Sequence, residues 1–378
     1  MRVIKRELED KLLEALQPAK VLLLLGARRI GKTVLLQQII ERLDEPYLLL
    51  NGEDLAEAEV LTRRSEVNYR AILGETRLLI IDEAQKIPEI GKILKLMVDT
   101  LPGLKVIATG SSSFDMANAT GEPLTGRKKT FYFFPLSKAE LRQTESAIKK
   151  PERLRQRLVY GNYPELLHLP SNTEQAAYLK EMLNAYLLKD ILTFENIRNS
   201  AKIFSLLRLI AYQVGSEVSY QELGQQLSIS KNTVERYLDL LTKVFVLHKL
   251  EGFSRNLRKE VTKSSKWYFV DNGIRNVLIA NFAPIDTRDD IGALWENYII
   301  SERRKQQHYQ KMIVNNYFWR TYDQQEIDWV EERGGQLFGY EFKWNPKKQP
   351  KVPASWAKAY PNAGFEVINR ENYMEWLE

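Results

Sequence analysis

Gly26-Ala27-Arg28-Arg29-Ile30-Gly31-Lys32-Thr33 decides the fold of this chain. The octet follows the apolar run Val21-Leu22-Leu23-Leu24-Leu25 and precedes an amphipathic segment from Val34 to Leu43. Strand, GxxxxGK[ST] loop and helix in that order make a P-loop. Gly26 and Gly31 let the backbone curl until its N–H groups point at phosphate oxygens, and the positive end of the helix dipole near Lys32 adds to the attraction. Ala27, Arg28, Arg29, Ile30 and Val34 complete the expected nucleotide cradle. Lys32 is placed to reach the β- and γ-phosphates, and the Thr33 hydroxyl to enter the shell of a Mg²⁺ ion. A chance glycine-rich turn would call for neither the strand before it nor the helix after it.

Further along, Arg77-Leu78-Leu79-Ile80-Ile81-Asp82-Glu83-Ala84-Gln85 reads as a buried parallel strand with two carboxylates behind it. Ligands in open α/β sheets bind at that carboxyl end. Asp82 is expected to hold Mg²⁺ through water, and Glu83 to orient or deprotonate the attacking water. A helix N-cap would account for one acid but not for two adjacent ones. A third strand, Leu104 to Ala108, runs into Thr109-Gly110-Ser111-Ser112-Ser113. Those hydroxyls suit a γ-phosphate or a water, and equally an ordinary polar turn. With strands over 47–50 and 130–134, the pattern predicts an α/β domain built on a parallel sheet.

On these motifs, residues 21 to about 135 resemble an ATPase of the AAA+ superfamily, in the branch of bacterial and archaeal ATPases with a C-terminal domain of uncharacterised function. The resemblance implies ATP and Mg²⁺ as cofactors and hydrolysis to ADP and phosphate. It puts Thr109 and Ser111 at the sensor-1 position. Arg127, in Leu124-Thr125-Gly126-Arg127, matches a Gly-Arg element of that family. It is either a γ-phosphate sensor, an arginine finger or the partner of a structural carboxylate.

The 378 residues are enough for two or three domains, and 44% hydrophobic with 28% charged residues is a globular composition. No apolar run approaches the roughly 20 residues that span a bilayer. The charged start, Met1-Arg2-Val3-Ile4-Lys5-Arg6, lacks the apolar stretch of a signal peptide, so the cytoplasm is expected. The absence of cysteine excludes disulfides and thiolate metal sites. With three histidines, none paired at ligand spacing, any metal site must be built from carboxylates, which favours Mg²⁺ or Mn²⁺. A net charge of +6 is compatible with a nucleic-acid partner without demanding one.

Four segments are expected: an ATPase core over 1–135, a helical lid or linker over 136–200, a winged helix over 201–283 and a small nuclease-like α/β domain over 284–378. In the third, a short helix ending at Leu227, the turn Ser228-Ile229-Ser230 and a helix from Lys231 to Leu241 make a helix-turn-helix. Val234, Leu238 and Leu241 recur at helical spacing. Strand, loop and strand follow, so the segment resembles a winged helix. For DNA, Ser230, Lys231, Asn232 and Arg236 would line the recognition helix, with Arg255, Arg258, Lys259, Lys263 and Lys266 on the wing against phosphates. Glu235 and Asp239 repel phosphate, and the same module serves elsewhere as a plain interaction surface.

In the last segment, Glu296 lies on an amphipathic helix, Asp328 on one expected strand, and Glu341-Phe342-Lys343 at the end of another. Residues two apart in a strand share a face, so Glu341 and Lys343 point the same way. Glu326 is a further acid nearby. Two acids can hold Mg²⁺ and a lysine can stabilise an attacked phosphate. Residue by residue, Glu296, Asp328, Glu341 and Lys343 resemble the PD-(D/E)XK nuclease superfamily. Surface salt bridges on adjacent strands would give the same letters. Two functional readings follow: an ATPase that acts on DNA and cuts it, or a nucleotide-gated regulatory or scaffold ATPase whose C-terminal domain binds without cutting. A homo-oligomer or a protein partner fits either.

Overall fold

The computed structural model describes residues 4–111, 124–145, 150–184, 200–254 and 265–378. The chain divides into two units, residues 1–144 with 243–245, and residues 145–242 with 246–378.

In the first unit, β1 (Val21–Leu25), β2 (Tyr47–Asn51), β3 (Leu78–Asp82), β4 (Lys105–Gly110) and β5 (Lys128–Tyr132) form a wholly parallel sheet in the order β2-β3-β4-β1-β5. Every residue of β1 is buried, which is why its sequence is an unbroken apolar run rather than an alternation. The helix Ile90–Thr100 buries Ile90, Ile93, Leu94, Met97 and Val98, a stripe at helical spacing. The register (Leu25 opposite Gly110, Ile81 opposite Ala108) sets the carboxyl ends of β1, β3 and β4 side by side. That edge is where a parallel sheet presents ligand-binding loops.

The second unit holds a seven-stranded sheet. Its strands are β6 (Glu217–Val218), β7 (Leu247–Gly252), β8 (Ser265–Phe269), β9 (Asn315–Arg320), β10 (Glu326–Arg333), β11 (Gln336–Phe342) and β12 (Gly364–Ile368), in the order β12-β11-β10-β9-β7-β8-β6. The seam is β7 on β9, a parallel pair with Glu251 opposite Tyr317 and Gly252 opposite Phe318. One sheet therefore runs across the point, 283/284, at which the sequence suggests two separate segments. Pairing removes two exposed strand edges at once. Trp319, Ile327, Val330, Leu337 and Trp356 make a core against this sheet, and the helix Ile291–Tyr309 packs on β8 and β11.

The helices Tyr220–Leu227 and Lys231–Lys243 flank the tight turn at 228–230. Gly224 is required there, since a Cβ would lie 2.8 Å from the Ile229 carbonyl oxygen. Val234, Leu238 and Leu241 are buried, while Ser230, Lys231, Asn232 and Arg236 lie on the solvent side with Glu235 and Asp239. Among the described residues no helix is long and apolar enough to cross a membrane.

Candidate functional site

The loop after β1 curls under tight steric limits. A Cβ on Gly26 would lie 2.2 Å from the Phe133 carbonyl oxygen, and Gly31 sits at φ +91°. Ala27 and Ile30 are buried. Arg28 lies 3.5 Å from Glu53, Arg29 takes the left-handed φ of +63°, and Val34 is exposed on the helix Lys32–Leu43. The buried Lys32 ammonium donates to the carbonyls of Gly26 (2.9 Å) and Ala27 (3.0 Å) and stands 3.7 Å from Glu83.

Across the cradle, the Thr33 hydroxyl donates to Asp82 Oδ2 at 2.8 Å. Thr109 donates to Asp82 Oδ1 and accepts the Glu83 N–H at 3.0 Å. Gln85 Nε2 donates to Glu83 Oε2 (2.6 Å) and to Ser111 Oγ (3.1 Å). The loop 26–33, both acids, Thr109 and Ser111 thus come together at one edge of the sheet. Hydroxyl and carboxylate oxygens at a cradle too narrow for a side chain at Gly26 fit Mg²⁺ and phosphate.

Two contributors carry no sequence motif. Gln85 holds Glu83 and Ser111 in one hydrogen-bonded chain. Its only signal is its place two residues after the acid pair. Arg6 is buried, with Nη1 donating to Ile30 O (2.8 Å), Nη2 to Phe134 O (2.7 Å) and Nε to Glu140 (2.9 Å). It braces the P-loop from behind, and nothing distinguishes it from Lys5 in the letters.

Arg127 requires a correction. Its carbonyl accepts from Val21 N–H and its side chain pairs with Asp99, so it lies at the amino ends of the strands. The P-loop is at the carboxyl end of β1, roughly 13 Å away along a five-residue strand. A γ-phosphate sensor within one chain is out of reach, and the structural-carboxylate reading describes what the side chain does here.

In the second unit, Glu296, Asp328, Glu341 and Lys343 do converge, together with Glu326 and an unexpected Lys266. A shift of register between Ile327 and Val330 on β10 marks the strand on which Asp328 sits. Asp328 Oδ2 accepts the Phe342 N–H at 2.8 Å and lies 3.7 Å from Lys343. Lys343 donates to Glu341 Oε1 at 2.6 Å. Glu296 Oε1 accepts from the Tyr268 hydroxyl at 2.6 Å and stands 3.8 Å from the Lys266 ammonium, which also pairs with Glu326. Burial, and then Asp328, push the Glu296 carboxyl up to about 7. Burial and Asp328 likewise raise Glu341. Burial opposes the charge of Lys266, but Glu296, Asp328 and Glu326 outweigh it and hold the ammonium at about 12.

Lys266 is a second correction. It is 2% exposed on β8 and faces the acids, so it is not a wing residue set against phosphates. Arg255, Arg258, Lys259 and Lys263 lie outside the described residues. The metal reading of Glu296, Asp328 and Glu341 is corrected as well. Among the described residues no three acids or histidines come together as a metal cage. Each carboxylate is paired with an ammonium group instead, Glu296 and Glu326 with Lys266 and Asp328 and Glu341 with Lys343, a set that does not fit a divalent ion as it stands.

Residues 18–142 match a family described as an AAA domain. Residues 151–285 and 291–376 match two domains of unknown function, DUF8612 and DUF4143. Over 349 residues the chain is 28% identical to an uncharacterised protein of Mycobacterium tuberculosis, covering 91% of this chain and 74% of that one. An uncharacterised protein of Methanocaldococcus jannaschii is 25% identical over 388 residues, covering 97% and 84%. Among solved structures, Thermotoga maritima RuvB, a Holliday junction branch migration motor, is similar over 65% of this chain and 89% of its own at 16% identity and a TM-score of 0.31. The AAA match covers the loop, acids and sheet described above and supports a P-loop ATPase domain.

Proposed function

We propose that the chain is a Mg²⁺-dependent ATPase that acts on DNA through the solvent face of the helix Lys231–Lys243. The observation that carries the first clause is the closed set of contacts among Lys32, Thr33, Asp82, Glu83 and Thr109. Thr33 and Asp82 would hold Mg²⁺, which when bound neutralises phosphate oxygens. Lys32 adds a fixed positive charge against the β- and γ-phosphates. Glu83, at φ +49° and steadied by Gln85, orients the attacking water and takes its proton. Ser111, at the other end of the Gln85 chain, ties the base to the strand beside the γ-phosphate position.

The DNA clause rests on the exposed row Ser230, Lys231, Asn232 and Arg236 at the start of a helix in a helix-turn-helix. Lys231→Glu is expected to weaken binding to all DNA sequences alike and to flatten the salt dependence by about one unit of slope. Fluorescence anisotropy at several salt concentrations measures both. Unchanged affinity at low salt would leave this face to a protein partner.

Arg127 can enter hydrolysis only from a second copy, as an arginine finger supplied in trans. Its signature would be specific activity that rises with protein concentration and a rise that disappears in Arg127→Ala. A flat profile assigns the residue to its Asp99 pair alone. For the C-terminal acids, the buried ammonium of Lys266 favours a domain that binds without cutting over a nuclease.

A further inference from the structure

We infer that Lys266 is a built-in counter-ion, occupying the cation position of the C-terminal acidic cluster and keeping divalent metal out of it. Four carboxylates are held here by two ammonium groups: Glu296 of the helix Ile291–Tyr309 and Glu326 of β10 at Lys266, and Asp328 of β10 and Glu341 of β11 at Lys343. Such a set, without a cation, would attract Mg²⁺ or Mn²⁺. The chain supplies its own cation from β8, a strand on the far side of β9 and β7 from the acids of β10.

Three observations make this ammonium a fixture and not a passing surface contact. Lys266 is 2% exposed, with its ammonium 5.3 Å from the centre of the Phe318 ring, so it cannot swing out to water without leaving the half-buried Glu296 and Glu326 uncompensated. It pairs with Glu326 of β10 and stands 3.8 Å from Glu296 of the helix, so Lys266 links the two elements. Its neighbour two residues on, Tyr268, donates to the same Glu296 oxygen at 2.6 Å, so that one strand face satisfies the carboxylate twice. Lys343 does the same for Asp328 and Glu341. Glu341 Oε2 stays buried and without a hydrogen-bond partner, on the side of the carboxylate turned from Lys343.

The inference sharpens the non-cutting reading above. A dication brought to this cluster would meet the Lys266 charge at contact distance in a poorly screened setting. Removing that charge while keeping the stem should turn the cluster into a metal site.

The test is a Mn²⁺ titration of nucleotide-free full-length protein, followed by electron paramagnetic resonance of free Mn²⁺. The parent protein is expected to show no uptake that depends on Asp328. Lys266→Met is expected to take up one ion at least about tenfold more tightly, and to lose it when Asp328→Asn is added. Lys266→Arg, which keeps the charge, should behave as the parent. Uptake by the parent that Asp328→Asn abolishes would overturn the inference, as would a folded Lys266→Met protein that binds no more Mn²⁺ than the parent. Should Lys266→Met fail to fold, Lys266→Gln, which also removes the charge, takes its place in the same titration with the same two outcomes. ATP hydrolysis reads the other unit, so this inference and the ATPase reading can fail separately.

Discussion

Glu83→Gln is expected to bind ATP as tightly as the parent and to hydrolyse it at least ~10²-fold more slowly. The substitution keeps the shape. Gln85 Nε2 donates to Glu83 Oε2 at 2.6 Å, and the carbonyl oxygen of a glutamine can accept the same bond. The backbone is fixed independently: Glu83 N–H donates to Thr109, and Gly52 lets the strand turn pass so close that a Cβ there would sit 2.4 Å from the Glu83 carbonyl oxygen. Only the capacity to accept a proton is lost. Lys32→Ala should fail differently. It deletes the buried ammonium that the Gly26 and Ala27 carbonyls hold at the mouth of the loop, so nucleotide affinity falls along with turnover. Calorimetry with ATP and a phosphate-release assay separate the two. A Glu83→Gln protein that turns over at the parent rate would remove Glu83 from the chemistry. A Lys32→Ala protein that does so would remove the whole site.

The P-loop and the acid pair beside it were legible because parallel strands buried on both faces write themselves as continuous apolar runs. Val21–Leu25 and Leu78–Ile81 are such runs, and their functional loops follow directly in sequence. The inward positions of the helix Lys231–Lys243 were legible from the same physics at a period of 3.6. What escaped depends on partners distant in the chain. Lys266 reads as a wing cation in a basic stretch. It becomes a buried counter-ion only because Glu296 and Glu326, far along the sequence, fold against it. The β7–β9 seam is invisible for a related reason: side-chain alternation says which face of a strand is buried, and nothing about which edge it offers. Arg127 shows a third limit. A motif match gives its position in the chain, while the parallel register decides at which end of the sheet that position falls.

Arg303→Ala is expected to destabilise the second unit by about 3–5 kcal/mol, because it strands a buried carboxylate. Arg303 reaches Glu331 with two parallel bonds, Nε to Oε1 at 2.6 Å and Nη2 to Oε2 at 2.8 Å. Glu331 is fully buried on β10 and also accepts from Trp329 Nε1 (3.0 Å) and Gln307 Nε2 (2.8 Å). Burial by itself would push this carboxyl up; the guanidinium of Arg303 and the indole of Trp329 outweigh it and hold it below the usual range. A depressed acid stabilises the fold at pH above its unfolded value, near 4.5, and loses that contribution as pH falls through the lower, folded value. The parent protein should therefore lose stability on acidification below that point. With the guanidinium gone, Glu331 has its burial cost without its main counter-charge, so the variant should gain from protonation and show a slope of opposite sign over the same range. Urea midpoints at a series of pH values read both effects. Replacing the pair together, Arg303→Met with Glu331→Leu, should recover much of the loss, since neither charge then remains to be solvated. A double variant as unstable as Arg303→Ala would mean that the shape of the pair, and not its charge, holds the helix Ile291–Tyr309 to the sheet.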